Sequence, residues 1–274
     1  MTRQFAQITF KLSSALHIGS GRSGMLAKCH GFVPGHILTY ALAAAIGKAN
    51  GGQYEDFTQA LDEVKNRISC GPLFIENPQQ AGSVLFPRRD RTSIERQFLT
   101  ASNHVTLMPD SRASVEGALF EVERISAQIV RGTYRRQVTR LIGGLWHTDS
   151  HLAGKPLSDW LSVCLLGGET KSGCGLVILD EWSENASTYA GLEKSTVDGQ
   201  GLSLTAGERL PGPALSGVGQ APQQPWLGRL YDKQQGFGRR LSEAALIYMD
   251  GICEQDAIFL PHASELGLGC WATV

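Results

Sequence analysis

No Cys-x-x-Cys pair occurs in this chain; its six cysteines lie singly at positions 29, 70, 164, 174, 253 and 270. That spacing excludes a zinc ribbon, a thioredoxin-type redox motif and a disulfide framework, and leaves reduced, mostly buried thiols as the expectation. Long apolar runs are missing as well. The longest, Ala41 to Ile46, is far too short to span a bilayer. The opening residues Met1 to Ile8 carry a charge but no apolar stretch, so no secretory leader is expected and the cytoplasm is the expected compartment. There is no Gly-x-Ser-x-Gly elbow and no Cys/His signature of a nucleophile, hence no catalytic constellation to assign. Gly19-Ser-Gly-Arg-Ser-Gly24 matches G-x-G-x-x-G in letters. Yet no helix opens directly behind it, and residues 42–46 contain no acid for a ribose, so a dinucleotide site is excluded. No cofactor and no metal are expected.

What is present is an ordinary globular composition, 42% hydrophobic and 19% charged over 274 residues, enough for one large domain or two small ones. The net charge of −1 hides an uneven distribution. Residues 1–180 hold 19 Lys and Arg against 15 Asp and Glu, whereas 181–274 hold 6 against 11. Between 86 and 140 there are ten arginines and six acids. An arginine-rich middle suits RNA, and an acidic final part suits a protein partner or solvation.

Residues 5–12 alternate apolar and polar and predict a half-buried strand, broken by a loop over Gly19–Gly24. Pro34-Gly35 precedes an alanine-rich helix over 36–46, and glycines 47, 51 and 52 end it. A second helix over 54–68 carries Tyr54, Phe57, Leu61, Val64 and Ile68 on one face. Strands are predicted at 72–75 and 83–86, then an arginine-rich excursion without periodicity to about 115, then strands at 118–125 and 129–130. Leu157, Trp160, Leu161, Cys164 and Leu165 are spaced as one helix face. The glycine stretch Gly167–Gly175 and the strand Leu176–Leu179 follow. This order predicts an α+β fold: a ferredoxin-like, RRM-like βαββαβ domain over 1–180, with a glycine-rich loop and a hairpin insertion at about 86–115. Residues 183–225 are rich in Gly, Ser, Pro and Gln and predict long loops or local disorder. Order returns over 226–274, with 241–249 and 257–260 as its elements. The 181–274 part is expected to be a C-terminal extension or a degenerate second ferredoxin-like lobe.

Gly167-Gly-Glu-Thr-Lys-Ser-Gly-Cys-Gly175 is not a Walker loop, because Lys171-Ser172 lies inside it. Two readings stand: a helix C-cap with a tight turn, or a cradle whose amide N–H groups and Lys171 face phosphates. His147-Thr-Asp-Ser-His151 has a spacing that a metal on a helix would accept, but it lacks companions and reads as a polar loop beside a helix. Arg88, Arg89, Arg91 and Arg96 form the densest positive cluster, either solvated or in contact with RNA. Arg131, Arg135, Arg136 and Arg140 form a second, with Tyr134 as a stacking platform. His17, His30 and His36 are near neighbours in sequence and offer general acid–base chemistry or plain structural roles.

His17-Ile-Gly-Ser-Gly, then Phe32-Val-Pro-Gly-His-Ile-Leu-Thr-Tyr-Ala-Leu-Ala, then Gly167–Gly175 with Leu-Val resembles the RAMP superfamily of CRISPR-associated proteins. Arg91-Thr-Ser-Ile-Glu-Arg96, followed by the Glu116-Gly-Ala-Leu-Phe-Glu-Val-Glu segment, resembles the thumb region of some members. The resemblance implies RRM-like domains, guide RNA (crRNA) as ligand, and backbone RAMP proteins and a large subunit as partners, with target nucleic acid contacted indirectly and no membrane. It implies a type III or related effector. His36-Ile37 and Thr39-Tyr40 replace a serine pair and a basic-glycine step usual in repeated backbone members, and residues 22–33 lack the aspartate of members that cut target RNA. That favours the non-catalytic, Cas-five-like subunit that caps the 5′ handle. In that role Gly167, Gly168, Lys171, Ser172, Gly173 and Gly175 hold phosphates, Arg88, Arg89, Arg91 and Arg96 belong to the thumb, and Arg22 and Lys28 line the groove. Three other roles remain open: a guide-processing endoribonuclease using His17, His30 or His36, a target-cleaving backbone subunit using Asp90, and a purely structural scaffold with no RNA contact.

Overall fold

The computed structural model describes residues 3–274 apart from 106, 112, 114, 116, 117, 185, 193, 194, 233–235 and 262–267, and over 227–244 it describes the backbone alone. The Glu116-Gly117 part of the thumb resemblance therefore lies outside the described residues.

Alternation makes β1 (Gln4–Leu12) a strand, and Ala6, Ile8, Phe10 and Leu12 all enter one core. Its opposite face is covered too: Phe5 and Thr9 are buried. β2 (Gly19–Ser23) and β3 (Leu26–Cys29) form a hairpin where a loop was predicted. β4 (Phe32–Val33) leads into α1 (Gly35–Ala49), entered through Pro34 at φ −59° and ψ 145°. Only glycine fits at 35, since a Cβ there would stand 2.1 Å from the Cys70 carbonyl oxygen. α2 (Tyr54–Arg67) starts with the Asp56 carboxylate accepting the Gln53 N–H at 3.0 Å, has acids in its first turn and bases in its last, and buries Ala60, Leu61 and Val64. β5 (Ile68–Cys70) and β6 (Leu73–Ile75) follow. Residues 83–86 contribute only a bridge from Val84 to Glu76.

The arginine-rich excursion is more ordered than its composition suggests. It holds α3 (Arg91–Gln97) and β7 (Leu99–His104), which pairs antiparallel with β8 (Phe120–Ile125). β8 also runs parallel to β3, giving a four-stranded sheet β2-β3-β8-β7. Residues 129–130 form no strand.

β9 (Arg140–His147) is the strand that no sequence pattern announced. It pairs with β1, β5 and β6 and stands at the centre of a sheet ordered β12-β1-β9-β6-β4, where β12 is Val177–Ser183. Between them come the small hairpin of β10 (His151–Leu152) and β11 (Lys155–Pro156) and the five-residue α4 (Leu157–Leu161). The apolar pattern predicted a helix to 166. The helix ends earlier because Leu165 turns to bridge Leu176 in strand-like fashion.

The 183–225 region, predicted as loops, holds β13 (Thr196–Asp198), β14 (Gly201–Leu204), β15 (Pro213–Ala214), β16 (Val218–Gly219) and the start of β17 (Gln223–Asp232). With β18 (Gly236–Met249), β19 (Ile252–Cys253), β20 (Ala257–Pro261) and β21 (Trp271–Thr273), these complete the chain. Seven of them form one sheet ordered β13-β14-β20-β21-β15-β18-β17, and β16 pairs with β19. The protein is thus mixed α+β, mostly sheet, with four helices among the described residues.

Two cores sandwich the central sheet. One lies against the helices, with Leu141 and Leu145 among its members. The other lies under the seven-stranded sheet and joins Phe5, Ile142 and Trp146 to Tyr189, Leu202 and Trp271. Trp146 and Trp271 meet edge-on at 6.0 Å and are fully buried. Their polar ends are matched: Trp146 Nε1 donates to Asp198 O, Trp271 Nε1 to Pro211 O, and the Tyr189 hydroxyl to Pro72 O, all at 2.7–2.8 Å.

The Gly143-Gly144 pair permits this packing. A Cβ at 143 would lie 2.5 Å from the Pro72 carbonyl oxygen, and one at 144 would lie 2.3 Å from the Phe5 ring. Gly143→Ala is expected to destabilise the protein by about 1–3 kcal/mol through overpacking, read as a lower urea midpoint at unchanged slope.

Candidate functional site

Three segments far apart in sequence meet at a cleft of about 450 Å³: His17 to Ser20, Pro34 to Ile37, and Gly167-Gly168. The meeting is made by backbone. Gly168 donates its N–H to His17 O at 2.8 Å, and Gly175 donates to Ala15 O at 2.9 Å, so the glycine loop pairs with the chain leaving β1. Gly167 sits at φ +74°, and a Cβ on it would come within 2.4 Å of His17 O. Gly175, at φ +90°, is pressed as closely on Leu166 O, whereas Gly173 at φ +82° faces open space.

All three histidines singled out by sequence line this cleft. His17 Nδ1 lies 2.7 Å from Glu123 O; a carbonyl only accepts, so Nδ1 carries the proton of that bond and Nε2 is left toward Gly19. His30 packs against both the Phe32 and the Trp226 rings, at 5.3 and 5.1 Å. His36 opens α1 against Gly269. Gln224, Pro225 and Trp226 form the far wall. No motif marks these three, and a lone tryptophan in a Pro/Gln-rich stretch was their only signal.

Most amides of the glycine loop are already used. Gly168, Ser172, Gly173, Cys174 and Gly175 all donate to backbone carbonyls. Those of Glu169, Thr170 and Lys171 have no backbone acceptor among the described residues, and the exposed side chains of Lys171 and Ser172 stand beside them. Ser172 Oγ meets a carboxylate oxygen of Glu169 at 3.3 Å.

The predicted cations distribute unevenly. Arg22 is paired with Ala27 and Lys28 with Gly21, so the two side chains leave opposite faces of the β2–β3 hairpin, both exposed. Arg88 and Arg89 are exposed, but their backbone is anchored. Both N–H groups donate to Asp250 Oδ2, at 2.6 and 3.1 Å, while Asp250 Oδ1 accepts from Gly212 at 2.7 Å. Burial pushes the Asp250 carboxyl above the usual carboxylate range, and those three N–H groups and the Arg209 guanidinium draw it back. The Arg89 guanidinium lies 3.9 Å over the Phe86 ring and pairs with Asp90 at 2.7 Å. Asp90 also accepts the Phe86 N–H at 2.7 Å. Arg91 is matched with Glu95 on the next turn, and Arg96 is exposed on the same helix beside Arg131.

Arg140 is a structural member of the sheet, held among Glu76, Asp180 and Glu181 at 2.9–3.3 Å. His147 and His151 part company. His147 is fully buried on β9 against Trp182, where burial lowers its pKa, whereas His151 is exposed on β10. The polar loop predicted there is the end of the central strand.

No family model and no curated protein sequence matches this chain. Among solved structures its fold is similar to a chain of a type III-B Cmr-beta complex bound to cognate target RNA and AMPPnP. That match has a TM-score of 0.50 and 11% identity, over 91% of this chain and 86% of the other. A chain from a type III-B Cmr-beta complex bound to cognate target RNA covers 65% of this chain and 96% of its own, at 11% identity and a TM-score of 0.39.

Gly167→Ala is expected to cost about 2 kcal/mol or more, and Gly173→Ala about 1 kcal/mol, because only the first adds a clash to the strain of positive φ. Melting temperatures of the two variants check this. Asp250→Asn keeps the shape and tolerates φ of +54° but turns an acceptor toward N–H groups as a donor. It should cost about 1–3 kcal/mol and raise amide exchange at Arg88 and Arg89.

Proposed function

We propose that this chain is an RNA-holding subunit of a CRISPR effector complex, gripping the 5′ handle of the guide RNA through backbone and shape contacts. The carrying observation is the convergence of the His17, Pro34–Ile37 and Gly167-Gly168 segments on one cleft. Arg22 follows from the β2 wall of that cleft and Lys171 from its glycine loop, so cations stand where a phosphate chain would leave it. Similarity of fold to a chain of a complex bound to target RNA supports the same reading. Other effector subunits, backbone RAMP proteins and the large subunit among them, are the expected partners, with target nucleic acid contacted indirectly.

In this reading residues 1–180 are the RRM-like RAMP domain and 181–274 the C-terminal lobe. The order β12-β1-β9-β6, all antiparallel, with α1 and α2 after β1 and α4 after β9, fits a ferredoxin-like βαββαβ arrangement. An RRM stacks bases on the open face of its sheet. Here that face is buried beneath the seven-stranded sheet through Phe5, Ile142 and Trp146. RNA is therefore held at loops and edges, which suits recognition by backbone and shape.

A second reading, guide-processing endoribonuclease, is favoured by one observation. His17, His30 and His36 share the cleft, and the Glu123 carbonyl fixes the His17 tautomer with Nε2 available for proton transfer. Asp90 has less to recommend it as a target-cleaving acid, since Arg89 and the Phe86 N–H already hold its carboxylate.

Co-expression with the genomic neighbours, purification through a tag on this chain and sequencing of the bound RNA tests the proposal. A uniform short RNA with a constant 5′ end, at one copy of this chain per RNA, is the expected result. Mixed or absent RNA would overturn it, and several copies per RNA would transfer support to a backbone subunit. Cutting of repeat RNA by the purified chain, abolished in His17→Ala, would establish the endoribonuclease instead.

A further inference from the structure

One arginine from each of the two clusters, Arg96 and Arg131, lines a single groove. α3 and the turn after residue 129 face each other across a groove of about 230 Å³. Arg96, Thr92 and Ser93 line it from the helix, and Arg131, Thr133 and Tyr134 from the turn. The turn is braced: Val130 donates its N–H to Gln97 O at 2.8 Å, directly from wall to wall, and Arg136 donates to Ile129 O at 2.8 Å. The groove is thus held open by main-chain bonds rather than by the side chains that line it.

Its chemistry is one-sided. No aspartate or glutamate among the described residues lines the groove. Arg91 on the same helix is matched with Glu95, but neither Arg96 nor Arg131 has a carboxylate within salt-bridge distance among the described residues. Two guanidiniums brought to one groove without a counter-charge repel each other, and an anion between them reverses the sign of that interaction. Hydroxyls of Thr92, Ser93 and Thr133 add neutral donors, the set a phosphate group accepts from. Tyr134 packs partly on the helix-side core and lines the groove as well. It brings an aromatic surface to the same place as the charges, and Arg135 and Arg136 are exposed beside it.

We infer that this groove is a second RNA-holding site, separate from the His17 cleft, which takes one nucleotide of an unpaired strand: its phosphate against Arg96 and Arg131, its base on Tyr134. The inference rests on the reading of the chain as an RNA-holding subunit. It adds a second place where the strand is gripped, by stacking plus charge.

The test is fluorescence anisotropy of the full chain with an end-labelled, unpaired RNA of mixed sequence, repeated across a salt series. Arg96→Ala and Arg131→Ala are each expected to weaken binding about fivefold or more. The double variant should flatten the slope of log K against log salt by about 0.7, the single-strand value for one phosphate contact. Tyr134→Phe should bind like wild type, and Tyr134→Leu, which keeps the apolar packing, should lose about tenfold. Unchanged melting temperatures of the arginine variants separate these effects from misfolding. Wild-type affinity and slope in the double variant, with binding still weakened by Lys171→Ala, would overturn the groove and leave the proposed function standing. Absence of salt-dependent RNA binding by the wild-type chain would overturn both.

Discussion

The central sheet depends on one close approach of backbones. Gly71 donates its N–H to Gly144 O at 2.9 Å, at a crossing where a Cβ on Gly71, Gly143 or Gly144 would fall within 3 Å of neighbouring atoms. With no side chains in the way, β9 lies against β1, β5 and β6 at once, and Tyr189 reaches the Pro72 carbonyl. The aromatic cluster of Phe5, Trp146, Tyr189 and Trp271 closes over the same spot. Both faces of the sheet are thereby sealed, and each seal depends on the other through the strand they share.

That sealing decides where the protein can bind anything extended. The central sheet offers no open face, and the rims that remain accessible include the His17 cleft, the exposed turn at Thr170–Ser172, the β2–β3 hairpin and the ground around α3. Several of these rims are themselves anchored in the sheets. Asp250, on the far side of the C-terminal lobe in sequence, holds the main chain of Arg88 and Arg89, so the base of the arginine-rich segment is fixed to the lobe although its side chains reach solvent. The glycine loop is fixed in the same way to residues 15 and 17. The cationic side chains of both segments therefore stand on a fixed main chain.

Sequence patterns revealed the elements whose apolar residues are periodic. α2 buries one face and exposes the other, so its apolar residues recur at the helical period, and β1 alternates apolar and polar residues although both of its faces are covered. β9 escaped because Leu141, Ile142, Leu145 and Trp146 are buried on both faces and two glycines interrupt them, leaving no period to detect. The strands between 196 and 219 are two to four residues long, shorter than any periodicity can register. α4 was over-extended because Leu165 kept the helical spacing while its backbone had already joined Leu176. At the site the three sequence motifs were visible as motifs, and their order carried the family resemblance, but nothing in the sequence showed that they share one cleft. Trp226 and Asp250 were missed because their partners lie far away in sequence, His30 and Phe32 for Trp226 and Arg88, Arg89 and Gly212 for Asp250, and leave no local signature.

The six cysteines make the chain easy to label selectively. Every one is buried and free, and burial pushes five of the thiols up: Cys29, Cys70 and Cys270 to about 12, Cys253 to about 11, and Cys164 higher still. Thiolate, the species that attacks alkylating reagents and disulfides, is scarce at such sites at neutral pH. The native chain therefore presents a chemically quiet background. A single cysteine placed at an exposed position such as Thr170 or Ser23 would stand out for dyes, spin labels and cross-linkers, and the path of a bound strand over the rims could be charted one attachment point at a time.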